Sequence, residues 1–269
     1  MINKETLLSL KTWFADYVKK FQSFNPYYQQ NINLKYNHTK RVCSEIIDIG
    51  KSLALNKEDL RLAEVTALLH DVGRFDQYHR YHTFSDEKSE DHAQLGIKII
   101  RQNHILKEID LPNRKLILRT ISYHNLPALP QNETEKCLFF TKLLRDADKL
   151  DILYVVTDYY QNSSEYPNQS LEMELPNYPQ ISDKVYNDLM SGRTVNARDL
   201  QTLNDFKILQ MAWIYDINFP LSFQLIQQRG YLEKIRDSLP QSDKVQKIYS
   251  KVKSYLDKNI KSYQKSLNA

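Results

Sequence analysis

The stretch LLHDVGRF places two residues able to do chemistry, His70 and Asp71, side by side at the end of an apolar run. A polar pair at the buried end of a helix costs free energy unless something binds it. An imidazole nitrogen and a carboxylate oxygen are both ligands for divalent metals, and together they suit Mn, Fe, Co, Ni, Zn or Mg. The pair therefore has two interpretations, a metal site or a polar pair that the core satisfies.

Further candidate ligands recur at comparable places in the predicted helices. All seven histidines lie between positions 38 and 124. His38 opens a predicted helix, His92 lies in the first turn of another, and His124 ends a third. Asp148 lies inside the longest helical pattern, within RDADKLD. Because facing helices of an antiparallel bundle build ligand sites from such side chains, these residues are candidates for one common site.

Each of these residues also has a purely structural interpretation. A single histidine in an apolar helix more often packs in the core or caps a helix. Taken alone, RDADKLD is typical of a charged helix with ion pairs at i,i+3 and i,i+4. The joint order of His, His-Asp, His, His and Asp, with each group on its own helix, favours the metal site. His79, His82 and His104 lack such placement and are predicted as loop or surface residues, with His82 nearest to the site.

The elements that would position these residues are helices. Apolar residues recur with helical spacing through most of the chain, and only five glycines are present, which disfavours β-rich and dinucleotide-binding folds. We expect an all-α fold, an antiparallel helical bundle with additional C-terminal helices, in a single domain over 1–269. Its metal-binding core covers 35–160, and a C-terminal helical extension, 182–269, packs on the core. The proline-containing stretch 161–181 is a linker or a long loop.

Local signals predict the path of the chain around the candidate ligands. The stretch QSFNPYYQQNINL is predicted as a connector before a helix that begins at about His38. Asn56 is predicted as the N-cap of the helix that carries the His-Asp pair, and Gly73 as the end of that helix. Residues 74–88 are charged and aromatic without a helical period, so they are predicted as a loop that lines the mouth of the site.

Charge and cysteine usage bound the partners and the compartment. From Lys244 to the end there are seven Lys and one acid, Asp257, so this segment carries +6 while the whole chain carries +4. A solvated helical face explains such a segment best, and a weak contact with nucleic acid or an acidic partner is the alternative. No apolar run could span a bilayer, and the N-terminus is not a secretory signal. Because Cys43 and Cys137 fit free thiols, we expect the protein to be cytoplasmic. We expect no membrane partner, since no apolar run could span a bilayer. A homo-oligomer is compatible with the sequence.

Three stretches together resemble a known family. NHTKRV, LLHDVGRF and RDADKLDIL are similar to the motifs of the HD-domain metal-dependent phosphohydrolase superfamily, over roughly residues 35–160. The resemblance implies an HD-domain core in which four residues bind a divalent metal: His38, His70, Asp71 and Asp148. DHAQLG and the histidine of ISYHN are similar to the extra histidines of the two-metal branch, so that His92 and His124 would hold a second ion with Asp71 as the bridge.

The sequence departs from the better-known members of this superfamily. Gly73 and Arg74 stand where many members carry an acidic residue after the His-Asp pair, so that acid–base role is not transferred. After His124 the sequence reads HNLPALP, which lacks the Gly-Tyr-Pro element of the cyclic-dinucleotide phosphodiesterases and has Asn125 in place of a second histidine. These departures speak against turnover of cyclic dinucleotides in particular.

The resemblance and the residues together predict an enzyme. We expect a divalent-metal-dependent phosphohydrolase, with one or two ions, that cleaves a phosphomonoester or phosphodiester of a nucleotide or related small phosphorylated metabolite through a metal-bound hydroxide. Asp71 and Arg74 are the predicted catalytic residues, Arg74 as a cationic clamp on phosphate. The alternative for Arg74 is a salt bridge to Asp76 or Glu87. The alternative for the whole chain is a non-catalytic helical regulatory or interaction protein that retains a structural metal.

A second set of residues is predicted to contact the substrate. Arg145 and Lys149 flank Asp148, and one of the two could reach the site while the other lies at the surface. Tyr78 belongs to the predicted mouth of the site, where its ring could stack on a base, although such a tyrosine is as often a packing residue. His82 lies in the same segment.

Overall fold

Every regular element that the structure describes is a helix. The computed structural model describes residues 2–162, 168–193 and 195–267, and in these ranges it contains twelve α-helices, two short 3-10 helices and no strand. The predicted all-α fold is therefore confirmed. Among the described residues, no helix combines the length and the apolar character needed to cross a membrane.

The chain divides into two compact units, Met1–Asp151 and Ile152–Ala269. The predicted single domain, with 182–269 packed on the core, stays a prediction. All predicted metal ligands belong to the first unit. Its helices are α1 (Lys4–Lys19), α2 (Pro26–Ser52), α3 (Lys57–Leu69), α4 (Val72–Tyr81), α5 (His92–Gln102) and α6 (Leu111–Tyr123), and the point of division falls within α7 (Glu135–Asn162).

The second unit includes a long C-terminal helix whose apolar face is covered. The α-helices of the second unit are α8 (Asp183–Met190), α9 (Leu203–Ala212), α10 (Pro220–Gln228), α11 (Tyr231–Asp237) and α12 (Asp243–Leu267). Its 3-10 helices are Ala197–Asp199 and Trp213–Asp216. Helix α12 packs against α8, α10 and α11. Its buried residues recur at helical spacing: Val245, Ile248, Val252, Leu256 and Ile260. Its exposed face carries Lys247, Lys251, Lys258 and Lys261.

Helix α2 is longer than the sequence predicted. It begins at Pro26, so the predicted connector is wrong from that residue onward. Proline suits the first turn of a helix, because its missing N–H would be unpaired there in any case. The side chain of Asn25 caps this start by accepting a hydrogen bond from the backbone N–H of Tyr28 at 3.1 Å. His38 therefore lies in the middle of α2 rather than at its start.

A short break separates α3 from α4, and the His-Asp pair occupies it. Asn56 caps the start of α3, as predicted, by accepting hydrogen bonds from the backbone N–H groups of Glu58 and Asp59 at 2.9 Å each. His70 follows the last residue of α3 with helical backbone angles, whereas Asp71 departs from them with φ −103° and ψ 14°. Because the helix is interrupted at Asp71, these two adjacent side chains need not diverge as they would on a regular helix.

Helix α4 occupies a segment that the sequence predicted mostly as loop, and Gly73 lies in its first turn rather than ending α3. The helical spacing of apolar residues is not evident in this part of the sequence, because Phe75 and Tyr78 are almost the only large apolar side chains that α4 buries. A Cβ atom at Gly73 would lie 2.2 Å from the carbonyl oxygen of His92 and 2.7 Å from the amide nitrogen of Gly96. The backbones of α4 and α5 therefore approach too closely for any side chain at position 73, and this close packing brings the start of α5 next to Asp71.

Candidate metal centre

Six predicted ligands from five different parts of the first unit converge at one place. His38 comes from α2, His70 and Asp71 from the break before α4, His92 from the first residue of α5, His124 from directly after α6, and Asp148 from α7. Five of them are buried, and the side chain of Asp148 is 17% exposed. Their ligand atoms form three overlapping groups, each within 4.8 Å: His38, His70 and Asp71; His70, His124 and Asp148; and Asp71, His92 and His124.

The first part of the cluster surrounds two imidazole nitrogens that lack a hydrogen-bond partner. His38 Nε2 lies 3.1 Å from Asp148 Oδ1 and 3.5 Å from Asp71 Oδ2. His70 Nε2 lies 3.7 Å and 3.8 Å from the same two oxygens. Both nitrogens are buried, and neither makes a hydrogen bond. Since a buried polar atom without a partner is costly, a cation shared by these four residues is the chemistry that the donor set fits.

The second part of the cluster uses the other oxygen of Asp71. His92 Nε2 lies 3.1 Å from His124 Nε2 and 3.4 Å from Asp71 Oδ1, and His124 Nε2 lies 4.0 Å from that oxygen. The Asp71 carboxylate therefore points Oδ2 at His38 and His70 and Oδ1 at His92 and His124. This is the arrangement that a carboxylate needs in order to bridge two cations.

Each histidine of the cluster has an acceptor on the nitrogen that faces away from the centre. His70 Nδ1 lies 2.7 Å from the carbonyl oxygen of Ala67, and His124 Nδ1 lies 2.6 Å from that of Ile121. For the other two histidines the acceptor is a carboxylate. His38 Nδ1 lies 2.6 Å from Asp151 Oδ2, and His92 Nδ1 lies 2.7 Å from Asp86 Oδ2. A proton held on Nδ1 leaves the Nε2 lone pair free for a metal, and such outer partners fix the orientation of metal-ligating imidazoles.

Two guanidinium groups and one amide hold the two outer carboxylates, Asp151 and Asp86. The guanidinium of Arg41 donates to both oxygens of Asp151, with Nη2 3.1 Å from Oδ2. Asp86 accepts from Arg74 Nη1 and from Gln77 Nε2, both at 2.9 Å. The ligand orientation therefore depends on a second layer of charged and polar residues.

The electrostatics of the cluster keep its carboxylates ionised. Burial raises the pKa of Asp71, but Lys35 and His70 outweigh it and hold that pKa well below its usual range. Burial acts on Asp148 in the same way, and its contacts with His38 and His70 hold its pKa well below the usual range. Both residues are therefore anionic at neutral pH, as metal ligands must be.

The histidines differ in how their surroundings act on them. Burial, reinforced by His92 and His70, lowers the pKa of His124 to about 3. Burial and Arg74 lower the pKa of His92. For His38, burial and Lys35 lower the pKa, but the adjacent carboxylates of Asp148 and Asp151 outweigh them and raise it to about 9. At neutral pH, His92 and His124 are therefore neutral imidazoles, as metal ligation requires, and His38 carries a proton that a bound cation would displace.

Arg74 makes several hydrogen bonds that the sequence did not indicate. Its Nη1 donates to Gln77 Oε1 at 2.8 Å, to the carbonyl oxygen of Phe84 at 2.5 Å and to Asp86 Oδ1 at 2.9 Å. Its Nε lies 3.6 Å from Asp71 Oδ1. The salt-bridge partners of Arg74 are Asp86 and Asp71, not the Asp76 or Glu87 of the alternative interpretation.

The predicted substrate-contacting residues are dispersed. Arg145 is buried, and its Nη1 donates to the carbonyl oxygens of His124 at 2.9 Å and Leu126 at 2.6 Å. Lys149 is buried as well. Tyr78 lies in the core with its hydroxyl 2.9 Å from Asn31 Nδ2, which leaves no open face for stacking. His82 is exposed at the end of α4. None of these residues belongs to the described ligand groups.

Three charged residues of the site were not predicted from the sequence. Lys35 and Asp151 each lie one helical turn from a predicted ligand, Lys35 before His38 and Asp151 after Asp148. That i,i+3 spacing places them on the ligand's own face of the helix, so a signal was present. Asp86 lies in the stretch between α4 and α5, where no period exists to indicate its direction.

An all-helical unit with a buried His/Asp cluster belongs to the class of metal-binding helical domains. Residues 36–159 match the family model of the HD domain, and this range contains all six residues of the cluster. This part of the chain matches the HD domain, and the resemblance to that superfamily is confirmed. HD domains bind divalent metals and form a superfamily of metal-dependent phosphohydrolases. Comparison with curated proteins and comparison with solved structures each gave no match.

Proposed function

We propose that this protein is a phosphohydrolase that uses two divalent ions to cleave a phosphoester of a nucleotide or a related small phosphorylated metabolite. The observation that carries the proposal is the Asp71 carboxylate, whose two oxygens face two different sets of imidazole nitrogens. One ion would be held by His38, His70, Asp71 and Asp148. The other would be held by Asp71, His92 and His124.

The chemistry of such a pair fits phosphoester hydrolysis. Divalent ions in this position supply Lewis acidity toward phosphate oxygens and lower the pKa of water. Asp71 would contribute negative charge to both positions, one through each carboxylate oxygen. The outer carboxylates Asp86 and Asp151 hold His92 and His38 with their Nε2 atoms toward the centre. Gly73 and Arg74, rather than a carboxylate, stand shortly after the His-Asp pair, which favours water over a protein carboxylate as the source of the nucleophile.

Arg74 has a positioning role in this proposal. Three acceptors already occupy its Nη1, so its guanidinium orients Asp86 and through it His92, while its Nε faces Asp71. Arg145 likewise fixes the carbonyl oxygen of His124 and the chain that follows. Both Arg74 and Arg145 can keep these hydrogen bonds in the proposed metal site.

The proposal also covers the class of substrate, the cellular compartment and one further contact with the substrate. A nucleotide is the proposed substrate because the superfamily acts on small phosphorylated molecules and no Gly-Tyr-Pro element indicates a cyclic dinucleotide. We propose the cytoplasm as the compartment, where Cys43 and Cys137, both unpaired, would stay reduced. His82 is proposed as a contact for the distal part of the substrate, because it is exposed next to the aromatic residues Tyr28 and Tyr78.

Metal analysis and an activity screen test the proposal together. The purified protein is assayed with Mn²⁺ and Mg²⁺ on nucleoside mono-, di- and triphosphates, dinucleoside polyphosphates and cyclic dinucleotides, and its metal content is measured. We expect bound metal and hydrolysis of at least one substrate, and we expect Asp71→Ala to lose both. Asp48→Ala is the matched control, because the side chain of Asp48 is 58% exposed on α2. A metal-free wild type, or full activity in Asp71→Ala, contradicts the proposal and favours a non-catalytic helical protein.

A further inference from the structure

Lys35 is a charged residue of the site to which the proposed reaction assigns no role. It lies on α2 one turn before His38, and its Nζ lies 2.8 Å from Asp71 Oδ2. Its side chain is 15% exposed and passes over the ring of Phe84, with Nζ 5.2 Å from the ring centroid. The ammonium therefore stands at the edge of the ligand cluster, between the buried centre and the surface.

The hydrogen bonds around the site distinguish Lys35 from the neighbouring arginines. Arg74 and Arg145 each donate to three acceptors through one nitrogen, and those acceptors fix their positions. Within the described part of the chain, Lys35 Nζ has one hydrogen-bond partner, Asp71. A lysine on a four-carbon stem can change its partner at little cost, because only this one contact has to be exchanged.

The oxygen that Lys35 contacts is also the oxygen that faces the two unpartnered imidazoles. Asp71 Oδ2 lies 3.5 Å from His38 Nε2 and 3.8 Å from His70 Nε2. A divalent cation among these atoms would take that oxygen as a ligand and would repel the adjacent ammonium. Phosphate oxygens drawn to the cation would offer the ammonium a new anionic partner within the reach of its side chain.

We propose that Lys35 is the residue that binds the phosphoryl group of the substrate, and that it gives up Asp71 Oδ2 to do so. This inference rests on the proposed function, because it assumes a cation in the ligand group of His38 and His70. Lys35 then has two measurable effects. It competes with the cation for Asp71, and it adds a charge-assisted hydrogen bond to phosphate.

The first measurement is the affinity for Mn²⁺ alone, by titration calorimetry of the full chain. Removing the competing ammonium in Lys35→Met is expected to tighten Mn²⁺ binding about threefold or more. Lys40→Met is the matched control, because Lys40 is exposed on the same helix and lies over the ring of Tyr36 rather than near the cluster. An Mn²⁺ affinity in Lys35→Met that equals or falls below that of the wild type overturns the competition with the cation.

The second measurement is the affinity of the Mn²⁺-loaded protein for inorganic phosphate. Since a hydrogen bond to a charged group contributes about 1.5–3 kcal/mol, Lys35→Met is expected to weaken phosphate binding roughly tenfold or more. Lys35→Gln should weaken it similarly, Lys35→Arg should retain most of it, and Lys40→Met should not change it. Unchanged helix content in circular dichroism shows that each variant is folded. Phosphate affinity in Lys35→Met equal to that of the wild type, or no phosphate binding by the wild type, overturns the proposal.

The two proposals fail in distinguishable ways. Phosphate binding that depends on Lys35, with no hydrolysis of any substrate in the panel, refutes the enzyme but supports the role of Lys35. Hydrolysis with an unchanged KM in Lys35→Met supports the enzyme and refutes the role of Lys35. We expect hydrolysis with a KM raised about tenfold and a smaller change in kcat.

Discussion

Two regions of the molecule carry many charged residues, and they use them in opposite ways. In the first unit, six candidate ligands are gathered in a largely buried cluster, and every imidazole has an acceptor on its outer nitrogen. In the second unit, the outer face of α12 carries four exposed lysines, Lys247, Lys251, Lys258 and Lys261, none of which forms an ion pair with a described residue. The basic pI of the chain comes from the second region, and the candidate chemistry lies in the first.

The difference shows that burial and convergence, rather than the number of charges, mark a candidate site. Buried ionisable groups are costly unless a partner compensates them, and two imidazole nitrogens of the cluster have none. Exposed lysines on a helix cost little, because water solvates them. Ionisable residues therefore carry functional information in the first unit, whereas those on the outer face of α12 mainly interact with water.

The largest expected effect separates the two halves of the cluster. We expect the double variant His92→Ala, His124→Ala to bind one Mn²⁺ per chain where the wild type binds two, because Asp71 alone cannot hold the second ion. Metal analysis after gel filtration measures the ratio. His79→Ala, His82→Ala is the control, since both of these histidines lie outside the ligand groups. Two bound ions per chain in the double variant would contradict the proposed role of His92 and His124 as ligands of the second ion.

A smaller but still substantial effect is expected at the close approach of α4 and α5. A methyl group at position 73 would collide with backbone atoms of His92 and Gly96, and backbone cannot move aside as a side chain can. We expect Gly73→Ala to lose about 3 kcal/mol of unfolding free energy in urea titration. Gly50→Ala is the comparison, because its new methyl group meets the flexible end of Leu60 at 2.8 Å. Equal losses in the two variants would show that the approach of α4 and α5 is not rigid.

An intermediate effect is expected from the outer layer of the cluster. Asp151→Asn keeps the shape of the side chain but removes the charge that holds the proton on His38 Nδ1. We expect Mn²⁺ affinity to fall about 10- to 100-fold with the unfolding free energy much less affected. Asp158→Asn, at an exposed position of the same helix α7, serves as the control. Unchanged affinity in Asp151→Asn means that the orientation of His38 does not depend on this carboxylate.

The smallest effect is expected on the lysine face of α12. Replacing Lys258 and Lys261 by alanine should change the unfolding free energy by less than about 0.5 kcal/mol and leave metal content untouched, because both side chains are exposed. Thermal denaturation and metal analysis of the double variant provide the check. A large loss of stability would contradict the contrast between the two regions.

Much of the fold and the ligand set followed from the sequence, because helices and their ends have local signals. The N-cap at Asn56 and the helical spacing around His38 and Asp148 depend on residues within one or two turns. The start of α2 was misplaced because Pro26 was interpreted as part of a connector, although the first turn of a helix tolerates proline. A local signal can therefore be present and still be assigned the wrong meaning.

The parts that the sequence did not predict depend on contacts between distant segments. Helix α4 buries Gln77, whose side chain bonds to Asp86 and Ser89 in the following stretch, so its polar residues obscured the helical period. The role of Gly73 depends on α5, and the role of Asp86 depends on His92. No window of neighbouring residues contains this information.

The contact between His38 and Asp151 has a consequence for the order of folding. It joins residues 113 positions apart, and the C-terminal end of the first unit meets the middle of α2 there. A chain made from its N-terminus has α2, α3 and most of their packing partners available long before α7 emerges. Closing so long a loop is entropically costly and slow compared with helix formation. The helices around His70 can therefore assemble early during synthesis, whereas the cluster of candidate ligands is completed late, when α7 brings Asp148 and Asp151 to His38.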